Sequence, residues 1–536
     1  MSTSEFDFIV VGGGSAGSTM ARRLVENQQK SVLLIEAGPE SDVDEPHSPL
    51  RDASRLVLEN YNWAYEAYLN VGNTGSGNAV IKTGTEQRKV FGYKTGKVLG
   101  GSSAINGAVA LRPLPSDFKQ WQSLGCDTWG WEDVLPWLNQ LETDVDFEEQ
   151  EIHGSHGPMR LRRPTDEELH PLDNCFSSMC QKHGVPYIDD LNTGEDEGVG
   201  LVPSNVGEFA ERFDVYRSYL HQQDALKNLQ VLTNVQVEKV TFVGNQANGV
   251  IVEQAGQQRH IKGREIVLCA GAIGSPAILQ RSGIGDREIL EPLGIDLIKH
   301  LPAVGANLQD HASVVLWSIP KSGVCESGKP WRQVAARMVS GYDQKLDVQI
   351  GLLNNVERST VPRFKDLVDT PMLVGTSVML MQPITRGQVA ITSSDVNILP
   401  DIQYPIRDTE EDIARLVHGV RKAWKILQEA EIKEFIENVQ FWSDSVINSD
   451  VVMFSAIKNL VNPGWHASGT IRMGQIGDPK CAVDQKGRVF GVEGLTIADA
   501  SLFPVIPSMP TNLSTIMVAE RIANILKQGS EYRDAS

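Results

Sequence analysis

The sequence lacks any long hydrophobic run and any recognisable export signal. No uninterrupted apolar stretch approaches the roughly 18 residues needed to span a bilayer. The first residues, MSTSEFDF, hold neither a basic region nor the apolar core that a secretory signal carries. We therefore expect no transmembrane segment and a cytoplasmic location.

Paired cysteines and excess basic charge are missing as well. The six cysteines occur without CxxC spacing, which favours free thiols in a reducing cytoplasm over a disulfide framework. Lysine and arginine total 49 against 68 aspartates and glutamates, which gives a net charge of −19 with no compensating basic stripe. This charge argues against nucleic acid or an anionic membrane as a partner.

The most informative stretch that is present covers residues 6–38. An apolar strand at residues 8–11 is followed by GGGSAG (residues 12–17), a helical pattern and a second apolar strand that ends at Glu36. Gly12 permits the tight turn, Gly14 lets backbone approach a pyrophosphate, and Gly17 lets the helix pack on the sheet. The helix N-terminus offers N–H groups to phosphates, and Glu36 is spaced to accept hydrogen bonds from a ribose. The unit predicts an adenine dinucleotide site and leaves FAD and NAD open.

The 536 residues allow about three domains, without internal repeats or low-complexity tracts. We predict consecutive strands over 229–268, amphipathic helices over 408–430 and 516–527, and a turn-rich surface excursion over 140–170. Because dinucleotide signals occur at both ends of the chain, we expect a discontinuous cofactor domain.

Six further segments occur in the order typical of one enzyme family. They are GKVLGGSSAIN (96–106), GAIGSPAILQRSGIG (271–285), LPAVGANLQDH (301–311), WHASGTIRMG (465–474), LTIADA (495–500) and NLSTIM (512–517). Together they resemble the signatures of the glucose–methanol–choline (GMC) family of flavoprotein oxidoreductases, over essentially the whole chain.

The resemblance implies an α/β fold with a Rossmann-type FAD-binding domain. An α+β substrate-binding domain, an antiparallel sheet flanked by helices, should be inserted into it. We expect residues 1–45, 80–158, 228–314 and 456–536 to form the FAD-binding domain. Residues 46–79, 159–227 and 315–455 should form the substrate-binding domain and the elements that cover FAD.

The resemblance also resolves the cofactor as FAD. The 96–109 loop should follow the flavin, the strand around Val237 should contact adenine through its backbone, and residues 499–500 should lie beside the ribityl chain and phosphates. The residues expected to bind FAD are Gly12, Gly14, Ser15, Ala16, Gly17, Glu36, Ala37, Gly100, Ser103, Asn106, Gly107, Val109, Val237, Ala270, Gly271, Asp499, Ala500 and Asn512. Some relatives tether FAD covalently through a histidine in the first signature, where this chain has Ile105, so we expect non-covalent FAD.

Alcohol oxidation needs a base for the hydroxyl proton and an acceptor for the carbinol hydride, which is flavin N5. His466 matches the catalytic histidine of the family, and neutral imidazole accepts a proton at pH 7. Asn512 matches the second catalytic position, where an amide would orient the alcohol oxygen. Within the family, O2 or a quinone-like acceptor re-oxidises the flavin, and no residue of this chain decides between them.

The remaining histidines and serines carry weaker signals. His153 and His156, in HGSHG, superficially resemble a metal pair, but no further ligand falls at metal spacing in the sequence, so we expect no metal. His311 is expected to be structural. Ser102 and Ser282 lack a GxSxG elbow, which argues against a serine hydrolase.

The substrate is the least determined part of the prediction. Residues 315–455 should cover the pocket, with Trp331, Phe441 and Trp442 as candidate lining aromatics, although aromatic residues in such positions more often belong to the core. Because no choline-recognition pattern is identifiable, we expect a primary or aromatic alcohol. The alternatives are a hydroxynitrile lyase, a light-driven decarboxylase of the same fold, and a flavin-binding electron carrier. The assembly is expected to be a monomer or a homodimer.

Overall fold

The computed structural model describes residues 5–42, 45, 47–55, 58–70, 90–220, 226–342, 346–364 and 366–534. Within these ranges the α-helices are α1 (Ser15–Leu24), α2 (Pro115–Ser123), α3 (Trp131–Leu141), α4 (Pro171–Lys182), α5 (Val215–Tyr219), α6 (Gly271–Arg281), α7 (Arg287–Leu290), α8 (Glu410–Leu427), α9 (Asp444–Ile447), α10 (Asp450–Leu460) and α11 (Thr511–Asp534). None of these helices is long and apolar enough to cross a bilayer.

Within the same described ranges the strands fall into five sheets. They are β1 (Phe6–Val11), β2 (Val32–Ile35), β3 (Tyr65–Tyr68), β4 (Val90–Tyr93), β5 (Glu142–Asp144), β6 (Met159–Leu161), β7 (Gly198–Leu201), β8 (Leu229–Leu232), β9 (Gln236–Val243), β10 (Gln246–Gln254), β11 (Gln257–Leu268), β12 (Ile284–Gly285), β13 (Lys299–His300), β14 (Ala312–Pro320), β15 (Val334–Val339), β16 (Leu346–Glu357), β17 (Met372–Leu380), β18 (Gln388–Ala390), β19 (Asp401–Gln403), β20 (Ile436–Val439), β21 (Asn462–Pro463) and β22 (Leu495–Ile497).

One seven-stranded sheet has a parallel core in the order β8-β2-β1-β11-β22. Strands β1 and β2 are continuous apolar runs because both faces of a parallel sheet are covered. The N-terminal half of β11 pairs instead with β10, and β10 pairs with β9, both antiparallel. The predicted strands over 229–268 are confirmed as β8 to β11.

The second seven-stranded sheet is antiparallel, in the order β20-β14-β17-β16-β15-β7, with β21 added beside β14. Along β14 buried and half-buried residues alternate, so its two faces have different neighbours. One face packs against α8, and the other carries residues of the cavity described below. The α/β fold with an antiparallel sheet flanked by helices is confirmed.

Both predicted helices are present, but only the first has the amphipathic character expected of it. The 408–430 prediction is confirmed by α8, whose first turn holds three acids and whose last turn holds Lys425. The 516–527 prediction is confirmed as helix, but α11 starts earlier, at Thr511, directly after Pro510. Its amphipathic character was wrong, because residues 516–519 are buried in succession. Helix α11 packs against both α1 and α3, so it is enclosed on more than one side.

The 140–170 segment is not the simple surface excursion that its turn residues suggested. Strands β5 and β6 pair in parallel within it, and Glu142, Asp144 and His153 are buried there. The predicted division at 79/80 falls outside the described residues.

Candidate active site

A large cavity of about 1150 Å³, lined by described residues, lies where the two large sheets meet. The carboxyl ends of β1, β2, β11 and β22 open onto it, and the antiparallel sheet supplies the opposite wall. Ligands of parallel α/β sheets bind at this edge. The volume exceeds the usual range for a small ligand, so it can hold a dinucleotide together with a substrate.

The GGGSAG turn forms one wall of the cavity as the sequence predicts. Gly12 has φ +97°, and a Cβ there would lie 2.6 Å from the Cys269 carbonyl oxygen. A Cβ at Gly17 would lie 1.7 Å from the Gly12 oxygen, so only glycine lets α1 approach this closely. Helix α1 begins after Gly14, whose position at the N-cap provides no side-chain cap. Its first N–H groups are therefore available to an anion.

Glu36 is held at the end of β2 by backbone donors. The Gly13 N–H donates to Glu36 Oε2 (2.7 Å), and the Gly38 N–H donates to Oε1 (2.8 Å). Burial raises the pKa of Glu36 to about 7, and these donors oppose that rise. Each carboxylate oxygen keeps a second lone pair, so Glu36 can accept a ribose hydroxyl from the cavity.

The 96–109 loop is fixed by contacts that the sequence did not reveal. Ser103 Oγ donates to the Gly100 carbonyl (2.6 Å) and accepts the Val215 N–H (3.1 Å). The buried Arg212 donates through Nη1 to both the carbonyl and the side-chain oxygen of Asn106 (2.5 and 3.0 Å). These bonds hold the loop against the cavity.

The strand ends at β11 and β22 are linked by Asp499. Asp499 Oδ2 accepts the Gly271 N–H (2.8 Å) and the Ser275 hydroxyl (2.6 Å). Gly271 has φ +75°, and a Cβ there would meet no protein atom within 4 Å. The backbone at this point therefore borders open cavity, as contact with a ligand requires.

Most of the predicted cofactor residues line this cavity. Those on its wall are Gly12, Gly14, Ser15, Ala16, Glu36, Ala37, Asn106, Gly107, Val109, Val237, Ala270, Gly271, Asp499, Ala500 and Asn512. Gly17, Gly100 and Ser103 lie behind the wall and support it through the contacts given above. The bare helix N-terminus, the ribose-accepting carboxylate and the open glycine backbone together fit FAD.

His466 lies on the same wall, in a loop clamped by Asp310. Asp310 Oδ1 accepts the N–H groups of Gly464 (3.1 Å) and His466 (2.9 Å), and its Oδ2 accepts the Tyr93 hydroxyl. Between these bonds Trp465 adopts φ +60°, which is strained for a bulky residue. The carboxylate thus holds a conformation that the loop would not adopt alone.

His311 contacts His466 and determines its tautomer. His311 Nε2 lies 2.9 Å from the Pro507 carbonyl oxygen, which can only accept, so this nitrogen carries the proton. Burial, with the neighbouring imidazole second, holds the pKa of His311 well below its ordinary value, so its Nδ1 is an acceptor. That atom lies 2.8 Å from His466 Nδ1, which must therefore donate. His466 Nε2 is left as an unprotonated acceptor.

The charge state of His466 agrees with this tautomer. Burial, and secondly the positive charge of Arg332, lower the pKa of His466 to about 4. The imidazole is therefore neutral at pH 7 and able to receive a proton.

Asn512 connects the two ends of the chain at the cavity. Ser15 Oγ donates to Asn512 Oδ1 (2.7 Å) across 497 positions of sequence. Because this bond occupies the amide oxygen, the Asn512 NH2 group remains as a donor on the cavity wall.

The three candidate aromatics, Trp331, Phe441 and Trp442, all line the cavity. Arg332, beside Trp331, also lines it and was missed, because a lone arginine in a loop gives no signal in one sequence. His311 was assigned a structural role, and its contact with His466 could be anticipated only from the fold.

The expectation that no acid lies at ligand distance from His153 was wrong. Its Nδ1 lies 2.9 Å from Glu142 Oε1, and its Nε2 lies 2.9 Å from Asp190 Oδ2. Glu142, Asp144 and His153 are close enough to share a cation. However, Arg112 already pairs with Glu142 and Arg163 with Asp144, while His156 is exposed. The expectation of no metal stays a prediction.

Comparison with known proteins agrees with this geometry. The N-terminal profile of the GMC oxidoreductase family matches residues 6–313, and its C-terminal profile matches residues 383–519. The 5-(hydroxymethyl)furfural oxidase of Methylovorus sp. strain MP688 is 31% identical over 98% of this chain and 99% of that protein. The oxygen-dependent choline dehydrogenase of Stenotrophomonas maltophilia strain K279a is 32% identical over 98% of this chain and 96% of that protein.

A solved structure gives the same result for the fold. The crystal structure of pyridoxine 4-oxidase from Mesorbium loti superposes with a TM-score of 0.87 at 27% identity, covering 98% of this chain and 99% of that one. The chain therefore belongs to the GMC oxidoreductase family, an FAD-binding family of oxidases and dehydrogenases that act on alcohols.

Proposed function

We propose that this GMC oxidoreductase oxidises a primary or aromatic alcohol to the aldehyde, with His466 as the base. The observations that carry the proposal are the contact of His466 Nδ1 with His311, which leaves Nε2 to accept a proton, and the position of His466 on the wall of a cavity whose other end is built for a dinucleotide. FAD, when bound, supplies the acceptor for the hydride that leaves the carbinol carbon.

The proton and the oxygen of the alcohol are handled by this chain's own residues. His466 Nε2 takes the hydroxyl proton, and the positive charge that forms on the ring is shared with His311 through the Nδ1 contact (2.8 Å). The Asn512 NH2 group donates to the alcohol oxygen and stabilises its developing negative charge. Asn512 stays in place because Ser15 holds its amide oxygen.

We also propose that FAD is bound without a covalent tether. Ile105 lines the cavity at the place where some relatives carry the linking histidine, and its aliphatic side chain cannot form such a bond. Acid denaturation of the holoenzyme should release all of the flavin into the supernatant. Flavin that remains with the precipitated polypeptide would contradict this.

We further propose that the two large sheets mark the two functional parts of the chain. The parallel sheet and its strand ends carry the dinucleotide wall, and the antiparallel sheet carries Ser313, Gln349 and Ser377 on the substrate wall. The predicted ranges 228–314 and 315–455 divide near the start of β14, which lies between these walls.

Anaerobic titration of the holoenzyme with a panel of alcohols tests the main proposal. A primary or aromatic alcohol should bleach the flavin absorbance, with one aldehyde formed for each flavin reduced. Failure of every alcohol to do so would refute it. Admitting air after reduction then separates O2 from a quinone-like compound as the acceptor that restores the flavin.

A further inference from the structure

Arg332 lies on the wall of the active-site cavity without an ion-pair partner among the described residues, and its guanidinium lies 5.1 Å from the centre of the Trp331 ring. It lies in the loop that leads into β15 and forms no hydrogen bond or ion pair with any described residue. Its Nε atom is fully buried. Buried charges are normally paired, because an unpaired one loses its hydration without compensation.

The backbone around Arg332 is held firmly on both sides. The Asn354 N–H donates to the Trp331 carbonyl (2.7 Å), and the Val334 N–H donates to Asp173 Oδ1 (3.2 Å). The Trp331 ring also packs over Gly107, where a Cβ would lie 2.0 Å from it. Arg332 is therefore positioned by the fold rather than left on a loose surface loop.

Asp173 does not serve as a close counter-ion for Arg332. Its two oxygens accept hydrogen bonds from the Val334 N–H and the Asn354 amide, and the carboxylate forms no ion pair with Arg332. Burial raises the pKa of Asp173 to about 7, which further weakens its negative charge. Among the described residues, Asp173 is therefore an electrostatic neighbour of Arg332 rather than an ion-pair partner, and the guanidinium stays available to a ligand at the cavity.

A second polar group at the same cavity also lacks a partner. Gln349, on β16, is only 3% exposed, and its Oε1 atom is buried without a hydrogen bond to any described residue. Its Nε2 meets only the Met509 sulfur, at 3.8 Å. The lining of the same cavity also includes the apolar side chains of Trp317, Trp331 and Leu353. Apolar walls together with a few polar groups that lack hydrogen-bond partners are the pattern of a ligand subsite.

We propose that the substrate is an alcohol that carries a carboxylate on an aromatic frame, and that Arg332 binds this carboxylate. The inference rests on the proposed alcohol oxidation and names the substrate class of that same site. A guanidinium matches a carboxylate with two parallel hydrogen bonds, and the aromatic walls accept the flat frame. The same charge repels a quaternary ammonium alcohol, because repulsion is strong where water is excluded.

Steady-state kinetics of the FAD-loaded enzyme with matched alcohols tests the proposal. The pair is para-(hydroxymethyl)benzoate and para-(hydroxymethyl)benzamide, which differ in charge but little in shape, with choline as a third substrate. We expect kcat/KM for the benzoate to exceed that for the benzamide by about 10- to 100-fold, the range of a hydrogen bond between charged groups. Choline should be the poorest of the three.

Substitutions at Arg332 separate binding of the carboxylate from other roles. In Arg332→Gln the ratio of the two kcat/KM values should fall to about one, mainly through a higher KM for the benzoate. Arg332→Lys should restore part of the preference for the benzoate, because lysine keeps the positive charge but cannot donate two parallel hydrogen bonds to the carboxylate. Arg287→Gln removes the same charge from an exposed position outside the cavity and should leave the ratio unchanged.

The outcomes distinguish this inference from the proposed function. If neither benzyl-type alcohol reduces the flavin, alcohol oxidation itself fails. If the benzamide is turned over and the benzoate is not preferred, only the carboxylate inference fails. Equal losses for both substrates in Arg332→Gln, with a changed flavin spectrum, would assign Arg332 to the cofactor and overturn the proposal.

Discussion

Two buried polar clusters in this molecule differ in whether their charges are matched. The ion cluster consists of Arg112, Glu142, Asp144, His153, Arg163 and Asp190. Burial lowers the pKa of His153, but hydrogen bonds with its acidic partners raise it by more. The pKa therefore rises to about 9, and the ring is charged at pH 7. Three cations therefore meet these three carboxylates, with Asp146 also 3.3 Å from Arg163, and none of the six cluster residues lines the cavity.

The active-site cluster of His311, Arg332 and His466 has no such balance. Arg332 has no ion-pair partner among the residues that the structure describes, and both imidazoles have pKa values lowered by burial. The comparison teaches that buried charge alone does not indicate function. A cluster whose charges pair with one another is structural, whereas a charge without an ion-pair partner beside a cavity can bind a ligand.

Exchanging one histidine for alanine in each cluster should give opposite results. His466→Ala should lower the rate of flavin reduction by about 10²–10⁴, the range for loss of a general base, while folding is retained. Stopped-flow reduction and thermal unfolding measure the two effects. His153→Ala is the matched control and should reduce the flavin at the normal rate in its folded fraction. Near-normal flavin reduction in His466→Ala would remove its assignment as the base.

The ion cluster should respond mainly in stability. Arg163 Nη1 contacts Asp144 at 2.8 Å, and its Nη2 contacts Asp190. Arg163→Met leaves these carboxylates buried without that partner, so the free energy of unfolding should fall by about 3–5 kcal/mol. Denaturant titration measures the loss. A change of less than about 1 kcal/mol would show that the cluster is not a matched network.

The pH profile should report the charge of Arg332. Only neutral His466 accepts a proton, so kcat/KM for a neutral alcohol should fall as the pH drops through about 4. Removing the positive charge in Arg332→Gln should move this acidic limb to higher pH. The pKa that this limb reports should stay below the ordinary value for histidine, because His466 remains buried. An unchanged limb would mean that Arg332 does not act on His466.

The smallest effect is expected for stability at Arg332. Arg332→Met removes a charge that no described residue neutralises, so the free energy of unfolding should change by less than about 1 kcal/mol, or increase. The same exchange at Arg163 provides the contrast, measured under identical denaturant conditions. Comparable losses at both arginines would remove the distinction between the two clusters.

Local sequence patterns predicted the dinucleotide wall well. The strand, glycine turn, helix and acid from Phe6 to Glu36 are consecutive, so their geometry follows from spacing. The family signatures added His466 and Asn512, whose placement on the same cavity confirms that distant segments converge. Their chemical roles stay predictions.

Contacts between distant segments could not be predicted in the same way. His311 and His466 lie 155 positions apart, and their tautomers depend on a third partner, Pro507. The acids around His153 come from separate turns and strands, so sequence spacing gave the wrong expectation. Arg332 is identified by what it lacks, and a missing partner is visible only once the surroundings are known.

The contact of α1 with α11 has a consequence for how the protein is made. Ser15 bonds to Asn512, and Arg23 pairs with Glu520 at 2.7 Å. The ribosome releases Ser15 and Arg23 nearly 500 residues before these partners, so α1 lacks its contacts with α11 during most of translation. A chain interrupted before residue 511 lacks α11 and Asn512, so it cannot complete the cavity wall.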